Sequence, residues 1–534
     1  MFKRSKEIAR DLFVSGRFFL PEVLILALML RLYNLCRFPL WFDEAAAAME
    51  PRGIFSLPGI WQFLDAGFSS NRADYLMFYC HGFVHYWKAL AGDCVFGLRI
   101  SSVFWGVAGV FMAYKLAGYL SGKPAARAAA LLLAIAPFHI YFSQELRQYS
   151  AILFLSLSAF YFLFRILDGA AVRNWVYWAA LNTVNIYFHY MMFFLLAAQV
   201  LLLFAYRRRL KISPLAMIAC AGSLILLFPA LLTVFQKTSY ILTHDIRPDI
   251  SDYPIWAGSV DPRTLLYTLR DFSIGYTLDA YSLPALTAVV FMSGLFIAGI
   301  VCLKYEKGFY GTAAAVLFIF PLLALFLVSL MLKPCYVDRY LFPLGGLFCI
   351  CAGIGIHAAG KRYGALLLAA AFIFSAVGLV SYYRDDMPAD NRQHVGYMRK
   401  NTAINAVVPA ITAQYRPEDQ IFCASRLIIL PFKFYTRAYL RNYLPVPKGL
   451  LKEAMEGKML WIGDDAQVYQ LFYNKIMPTW YDKAPFLIAP GSRIWVIQYK
   501  FDRRPEVIEY MSGQCILRSI LTFGNSEVYL FEKR

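Results

Sequence analysis

The amino-acid sequence predicts a polytopic α-helical membrane protein with a more polar C-terminal region. Of its 534 residues, 60% are hydrophobic and only 16% are charged, whereas a soluble domain carries about 25% charged residues. The apolar residues cluster in blocks of roughly 18–25, which is the length that a helix needs to cross a bilayer. These observations exclude a soluble enzyme, a disordered chain and a small disulfide-stapled protein.

About eleven membrane spans are predicted, at one apolar segment of about 20 residues for each helix. The segment 75–91 is also apolar, but His81, His85 and Lys88 give it one polar face. We therefore expect an interfacial helix there. The predicted spans lie near residues 19–34, 98–119, 126–142, 150–167, 175–188, 191–206, 212–235, 284–303, 311–331, 341–357 and 363–382.

The positions of lysine and arginine predict the orientation. If the N-terminus is cytoplasmic, every loop on that side is basic, as the positive-inside rule requires. The net charge of +18 is then a membrane signal rather than a nucleic-acid one, because the basic residues form no dense run or stripe. The basic loops lie at residues 123–127, 165–173, 207–211, 304–307 and 361–362.

This orientation divides the chain into two predicted domains. Residues 1–383 form the transmembrane domain, with outer loops at 39–97 and 236–283. Residues 384–534 form an extracytoplasmic α/β domain, because their apolar runs are short and helical pattern alternates with strand-like stretches. The expected location is the cell (inner) membrane, as a multi-pass protein. The strand-like stretches are 420–425, 458–462, 492–499 and 526–531.

Two adjacent acids, Asp43 and Glu44, follow the first span directly. Charge near the membrane interior is costly, so a carboxylate there is a candidate for function. The pair predicts a general base or a ligand for a divalent cation. It is also compatible with an acidic helix cap that faces water.

A second charged motif lies between two later spans on the same side, at residues 142–149. In a helix, Glu145 and Arg147 are two residues apart and do not face each other. Each therefore needs a distant partner: Arg147 could pair with Asp43 or Glu44, or Glu145 could share a cation with those acids. An interhelical salt bridge explains the motif equally well.

A third motif, Asp338-Arg339-Tyr340, begins a late span. Arg339, with Lys333 nearby, could hold a lipid phosphate, since a guanidinium matches phosphate geometry. The alternative is an interfacial arginine that extends to the membrane surface beside a tyrosine. His189-Tyr190, at the tip of a tight hairpin, is a weaker candidate.

All these motifs fall on one face of the membrane, which indicates an interfacial active site with an anionic, lipid-borne substrate. A carrier would place its charges at the bilayer midplane between two matching halves. Two alternatives remain open: a transporter or flippase for lipid-linked glycans, and a glycan polymerase or ligase. The large outer loop at 236–283 is compatible with the latter.

In their order, these motifs resemble the GT-C fold glycosyltransferases, the group that includes protein O-mannosyltransferases and the bacterial aminoarabinose transferase of lipid A. The resemblance implies transfer of a sugar from a polyprenyl-phosphate donor to a lipid, glycan or protein acceptor outside the cytoplasm. The matching residues are Asp43-Glu44, the helix at 75–91, Gly97-Leu98-Arg99, the stretch from Ser143 to Tyr149, His189-Tyr190 and Arg339-Tyr340.

The resemblance also implies roles for individual residues. Asp43 matches the base that deprotonates the acceptor, and Glu44 belongs to the same catalytic pair. No cofactor is required by the resemblance, but some relatives use a divalent cation (Mg²⁺ or Mn²⁺), for which Asp43, Glu44 and Glu145 are the candidate ligands. The expected substrate-binding residues are Glu145, Arg147, Tyr149, His189, Tyr190, Lys333, Arg339 and Tyr340.

Overall fold

A computed structural model gives the fold of the chain. Most of the predicted transmembrane domain and the sheet of the C-terminal region are described. Lys333 and part of the loop at 236–283 lie outside the described residues. The structure describes residues 18–49, 79–169, 171–210, 213–243, 260–332, 334–384, 386, 402–416, 419–424, 426–443, 459–460, 490–491, 493–500 and 505–534.

The described residues between 18 and 384 are mainly helical. Among them, two short 3₁₀ helices, Arg207–Arg209 and Asp338–Leu341, and one π-helix, Tyr79–Val84, interrupt the α-helices. In chain order the α-helices are α1 Phe19–Leu32, α2 Phe42–Met49, α3 His85–Ala91, α4 Val95–Ser121, α5 Lys123–Ile135, α6 Pro137–Ser143, α7 Tyr149–Leu167, α8 Arg173–Phe188, α9 Met192–Ala205, α10 Pro214–Thr243, α11 Pro262–Ile274, α12 Leu283–Lys307, α13 Phe309–Met331, α14 Phe342–Ala358 and α15 Gly360–Arg384.

The helical membrane fold is confirmed. Among the described residues, seven helices are long and apolar enough to cross a membrane, or eight if the bent pair α5–α6 counts as one. The other three predicted spans coincide with α1, α8 and α9, which have 14, 16 and 14 residues. The predicted interfacial segment is helical from Tyr79 to Ala91 and is not among the candidate spans.

The bend of 59° between α5 and α6 has a local cause. Pro137 lacks an N–H group and disfavours helical geometry at the residue before it, and Ala136 is accordingly extended. The break leaves carbonyl groups at the end of α5 without helical partners. The buried Arg31 side chain donates to two of them, Ala134 O at 3.0 Å and Leu133 O at 3.3 Å, which fixes α1 against the break.

Helix α14 is the centre of the bundle, and nearly all of its residues are buried. Its contact with α12 is close because both helices present glycine. A Cβ atom on Gly299 would overlap the backbone oxygen of Cys351, and one on Gly355 would overlap that of Leu295. Small residues at such positions let two membrane helices pack backbone to backbone.

In the C-terminal region the described elements are α16 Ile404–Thr412, β1 Gln420–Cys423, α17 Arg426–Tyr443, β2 Met459–Leu460, β3 Arg493–Tyr499, α18 Pro505–Gln514, β4 Cys515–Phe523 and β5 Ser526–Lys533. The described strands form a five-stranded mixed sheet in the order β2-β1-β3-β5-β4. Strand β1 pairs in parallel with β2 and β3, whereas β5 is antiparallel to β3 and β4. Helices α16 and α17 cover one face and α18 the other, so alternate residues of β3 enter different cores.

The predicted strand-like stretches contain β1, β2 and β3 and cover all but the last two residues of β5, but β4 was not predicted. Its apolar pairs, 516–517 and 520–521, lie four residues apart, which is a helical spacing. The strand occupies the edge of the sheet and is partly solvent-exposed, with Ile520 53% exposed. Burial therefore does not impose the alternation that identifies a strand.

Candidate active site

The adjacent acids Asp43 and Glu44 lie in the first turn of α2, where the helix dipole favours negative charge. Neighbouring residues of a helix point in different directions. The Glu44 side chain is fully buried, while the Asp43 side chain keeps 17% of its surface exposed. The two carboxylates therefore have different surroundings, although they are adjacent in the sequence and were predicted as one catalytic pair.

Glu44 is held in a buried, two-point ion pair with Arg99 of α4. Arg99 Nε lies 2.8 Å from Oε1 of Glu44, and Arg99 Nη2 lies 2.6 Å from Oε2. The backbone N–H of Leu146 also donates to Oε1, at 2.8 Å. Arg99 further donates to the carbonyl groups of Leu35 and Phe38, each at 2.9 Å. These bonds tie the first loop, α4 and the turn before α7 together, a geometry that favours a positioning role for Glu44.

Asp43 faces a different arginine, Arg147. The nearest approach is 3.5 Å, between Arg147 Nη2 and Asp43 Oδ2. Arg147 Nη1 also lies 3.5 Å from the backbone oxygen of Asp43. The sequence analysis gave Asp43 and Glu44 as possible partners of Arg147, and in the structure Asp43 is the one that lies beside it. Glu44 instead pairs with Arg99, which was not among the predicted site residues.

The candidate cation ligands do not form a ready-made metal site. Within the described part of the chain, no three His, Cys, Asp or Glu side chains are grouped so that they could hold a metal ion. Glu145 is buried beside the turn, but both oxygens of Glu44 already accept hydrogen bonds from Arg99. Among the described residues, these three acids are therefore not grouped around a single cation position.

Two buried arginines lie near the Tyr149 ring. The Cζ atom of Arg147 is 6.0 Å from the ring centroid, and that of Arg339 is 5.9 Å from it. Arg339 Cζ also lies 5.8 Å from the centroid of the Tyr340 ring. Within the described residues, Nε of Arg339 is buried and has no hydrogen-bond partner. This group of Arg147, Tyr149 and Arg339 is called the arginine cluster below.

His189 packs against the arginine cluster. Its ring centroid is 4.7 Å from that of Tyr340 and 6.2 Å from that of Tyr149, and the Tyr190 ring stacks on it with a centroid distance of 5.3 Å. Burial, followed by the positive charges of Arg147 and Arg339, lowers the pKa of His189 to about 3. His189 is therefore a neutral hydrogen-bonding group at physiological pH and adds no charge to the site.

A contact from the C-terminal region reaches the loop that carries Asp43. The backbone N–H of Leu40 donates to the Tyr435 hydroxyl of α17 at 2.7 Å. The neighbouring Phe434 packs into the core of the helix bundle, and Phe42 packs against the core of the C-terminal region. Sequence reasoning had no signal for this contact, because the two partners are 395 positions apart.

Replacing Tyr435 by Phe should therefore lower the stability of the protein and loosen the Asp43 loop. The substitution leaves the N–H of Leu40, a fully buried residue, without its partner, at a cost of about 1–3 kcal/mol. Thermal unfolding of the purified protein measures the effect. Tyr305→Phe is the matched control, because that tyrosine is 86% exposed; equal melting temperatures for both variants would contradict the prediction.

Comparison with known proteins gives one family match and a set of similar structures. The profile of the family "dolichyl-phosphate-mannose-protein mannosyltransferase" matches residues 82–232, and no curated protein matches the chain in sequence. ArnT from Cupriavidus metallidurans in the apo state is 12% identical, with a TM-score of 0.57 over 95% of this chain and 97% of its own. The same protein bound to undecaprenyl phosphate is 13% identical, with a TM-score of 0.55 over the same shares. The GT-C fold that the sequence resemblance implied is confirmed.

Proposed function

We propose that this chain, which has the GT-C fold, is an integral-membrane glycosyltransferase that moves a sugar from a polyprenyl-phosphate donor to an extracytoplasmic acceptor with inversion at the anomeric carbon. The acceptor class is a lipid, a glycan or a protein. The basic loops between the spans support a multi-pass orientation in the cell (inner) membrane, with the site outside the cytoplasm.

The arginine cluster beside Asp43 carries this proposal. Arg147 and Arg339 are 8% and 5% exposed, and Nε of Arg339 has no hydrogen-bond partner among the described residues. A buried cation is costly unless an anion pairs with it. A lipid phosphate supplies such an anion, because its oxygens match the guanidinium fork. The undecaprenyl phosphate in the similar ArnT structure supports this ligand class.

In the proposed reaction, Asp43 is the base. Its carboxylate takes the proton of an acceptor hydroxyl, whose oxygen bonds to the anomeric carbon while the bond from that carbon to the phosphate oxygen breaks. The electron pair of that bond leaves with the phosphate. Attack opposite the leaving group inverts the anomeric configuration. Arg147, 3.5 Å from Asp43, connects the base to the phosphate side of the site.

The leaving phosphate determines what the rest of the site must supply. Phosphate departs as an anion and needs positive charge rather than a strong general acid. Arg147 and Arg339 provide that charge, and the neutral His189 beside them offers a hydrogen bond. Glu44 and Arg99 neutralise each other and hold the loop on which Asp43 lies. Lys333, which the sequence analysis also assigned to the phosphate, stays a proposal because it lies outside the described residues.

The proposal is tested with purified protein in lipid nanodiscs and a panel of polyprenyl-phosphate sugars. Mass spectrometry should detect the free polyprenyl phosphate and the glycosylated acceptor for one donor class. Movement of labelled lipid across vesicle membranes, with no new glycosidic bond for any donor, would instead favour the transporter alternative.

Replacing Arg339 by Lys should weaken binding of polyprenyl phosphate by roughly 10–100-fold, because lysine keeps the charge but loses the two-point guanidinium contact. Isothermal titration with undecaprenyl phosphate measures the dissociation constant. Arg207→Gln is the control, since Arg207 is an exposed arginine outside the cluster. Unchanged affinity of the Arg339 variant would show that the phosphate binds elsewhere.

A further inference from the structure

Two buried acids, Asp271 and Asp338, lie near Arg339 and have no role in the proposed reaction. Asp271 belongs to the last turn of α11, and Asp338 begins the 3₁₀ helix that contains Arg339. Both side chains are fully buried, and the two carboxyl groups lie close enough to interact with each other. Arg270, also fully buried, pairs with Asp271 through Nη2 and Oδ1 at 2.6 Å.

Two buried carboxyl groups in contact favour a shared proton over two negative charges. Two ionised carboxylates have only acceptor atoms and cannot hydrogen-bond to each other. Burial, opposed by Arg270 and reinforced by the negative charge of Asp338, raises the pKa of Asp271 well above its usual range. With one shared proton the pair carries a single negative charge, which Arg270 balances.

The pair is connected directly to the backbone of Arg339. Asp338 Oδ1 accepts a hydrogen bond from the N–H of Arg339 at 2.8 Å and one from the Tyr276 hydroxyl at 3.1 Å. A second link between α11 and this segment joins Thr268 Oγ1 and the Tyr336 hydroxyl at 2.6 Å. Helix α11 is therefore linked at two separate points to the segment that contains Arg339.

We propose that Asp271 and Asp338 form a proton-sharing carboxyl pair that positions Arg339 for the phosphate of the donor. This inference rests on the proposed function, because it concerns the arginine that binds the leaving group. When the shared proton is lost, the two carboxylates repel each other, the link between α11 and the 3₁₀ helix opens, and a second negative charge lies next to the phosphate site.

The other charged and titratable groups around the pair lie on α11 and the turn after it, on α6, and on the segment that contains Asp338. Arg270 balances its charge, and Tyr276 donates to it. Burial raises the pKa of Tyr276 well above its usual value, so this neighbour stays protonated at physiological pH. The shared proton is therefore the titrating element. The groups that face the pair are Arg270 of α11, Tyr276 in the turn after α11, Tyr141 of α6, which lies beyond Tyr276, and Tyr336 and Arg339 of the segment that contains Asp338.

Asparagine substitutions test the shared proton, because an amide provides a permanent N–H donor at the same position. Asp271→Asn leaves the pair with one negative charge, as in the protonated wild type, and its amide oxygen still accepts from Arg270. The wild type should lose affinity for undecaprenyl phosphate by about tenfold as the pH rises through the raised pKa of Asp271. Asp271→Asn should keep the neutral-pH affinity and show no such loss.

Asp271→Ala removes both the proton and the hydrogen bond, and should weaken binding at every pH by about the same tenfold factor. Both variants lose the charge of Asp271, but only Asp271→Ala also loses the acceptor for Arg270. The pH profile therefore separates the two roles, because a purely structural role of Asp271 would not make the wild-type affinity depend on pH. An Asp271→Asn variant as weak as Asp271→Ala, or a wild type whose affinity does not change with pH, would overturn the proposal.

Infrared spectroscopy gives a readout that does not depend on the proposed function. The wild-type spectrum at neutral pH should contain the C=O stretch of a protonated carboxyl group, and the difference spectrum against Asp271→Asn should remove it. Absence of this band would overturn the shared proton itself. If the wild type shows this band but binds no polyprenyl phosphate, the positioning role and the proposed function are both overturned. The protonated pair would then remain only as a structural feature.

Discussion

Replacing Asp43 by Asn should lower the rate of sugar transfer by roughly 10²–10⁴-fold, the usual contribution of a general base. The amide cannot take the acceptor proton, but its size is that of the carboxylate and its oxygen can still accept from Arg147. Binding of polyprenyl phosphate should therefore change little. The measurement is kcat with the donor identified in the panel, together with the dissociation constant for undecaprenyl phosphate.

The control for this variant is Glu306→Gln. Glu306 is an exposed acid near the C-terminal end of α12, and removing its charge should leave the rate unchanged. A fully active Asp43→Asn enzyme would refute the role of Asp43 as base. If that variant were inactive because it misfolds, its melting temperature would fall together with its rate, whereas loss of the base alone leaves the melting temperature near that of the wild type.

Removing Glu44 should act mainly on stability rather than on chemistry. Glu44→Ala leaves the Arg99 guanidinium, which is 1% exposed, buried without its counter-charge. Breaking a buried ion pair from one side costs about 3–5 kcal/mol. The N–H of Leu146 also loses its acceptor. Thermal unfolding of purified protein should show a large drop in melting temperature, accompanied by poor recovery of folded protein.

A double-mutant cycle with Arg99→Met sharpens this test. Glu44→Gln and Arg99→Met should each destabilise strongly, whereas the double variant should lose much less than the sum, because neither partner is then left as a buried charge. The matched control is Glu532→Gln, which breaks the exposed pair with Arg518 and should have little measurable effect. Additive losses in the cycle would show that Glu44 and Arg99 act independently.

The two acids should thus separate experimentally, although they are neighbours in the sequence. Asp43→Asn lowers the rate at nearly constant stability, while Glu44→Ala lowers stability first. The reason is the direction of each side chain on α2. Asp43 is partly exposed toward the arginine cluster, and Glu44 is turned into the core against Arg99.

Local composition alone was enough to predict the membrane helices and the charged motifs. Long apolar segments specify membrane helices because the bilayer leaves no other way to satisfy backbone hydrogen bonds. The acids after the first span, the motif around Arg147 and the pair Arg339-Tyr340 were recognisable because charge is rare and costly at such positions. The resemblance to the GT-C fold followed from the order of these motifs, and the similar structures confirm the fold.

Which charged side chains form pairs could not be predicted without the three-dimensional fold. It separated Asp43 from Glu44, assigned Arg99 to Glu44, brought Arg339 to Tyr149, and placed Asp271 against Asp338. The partners in these contacts lie tens to hundreds of positions apart in the chain. Propensity and hydrophobic periodicity report on neighbours within a turn or a strand, whereas the pairing of buried charges depends on how the helices pack in three dimensions. Local patterns therefore identify the charged residues, and packing assigns their partners.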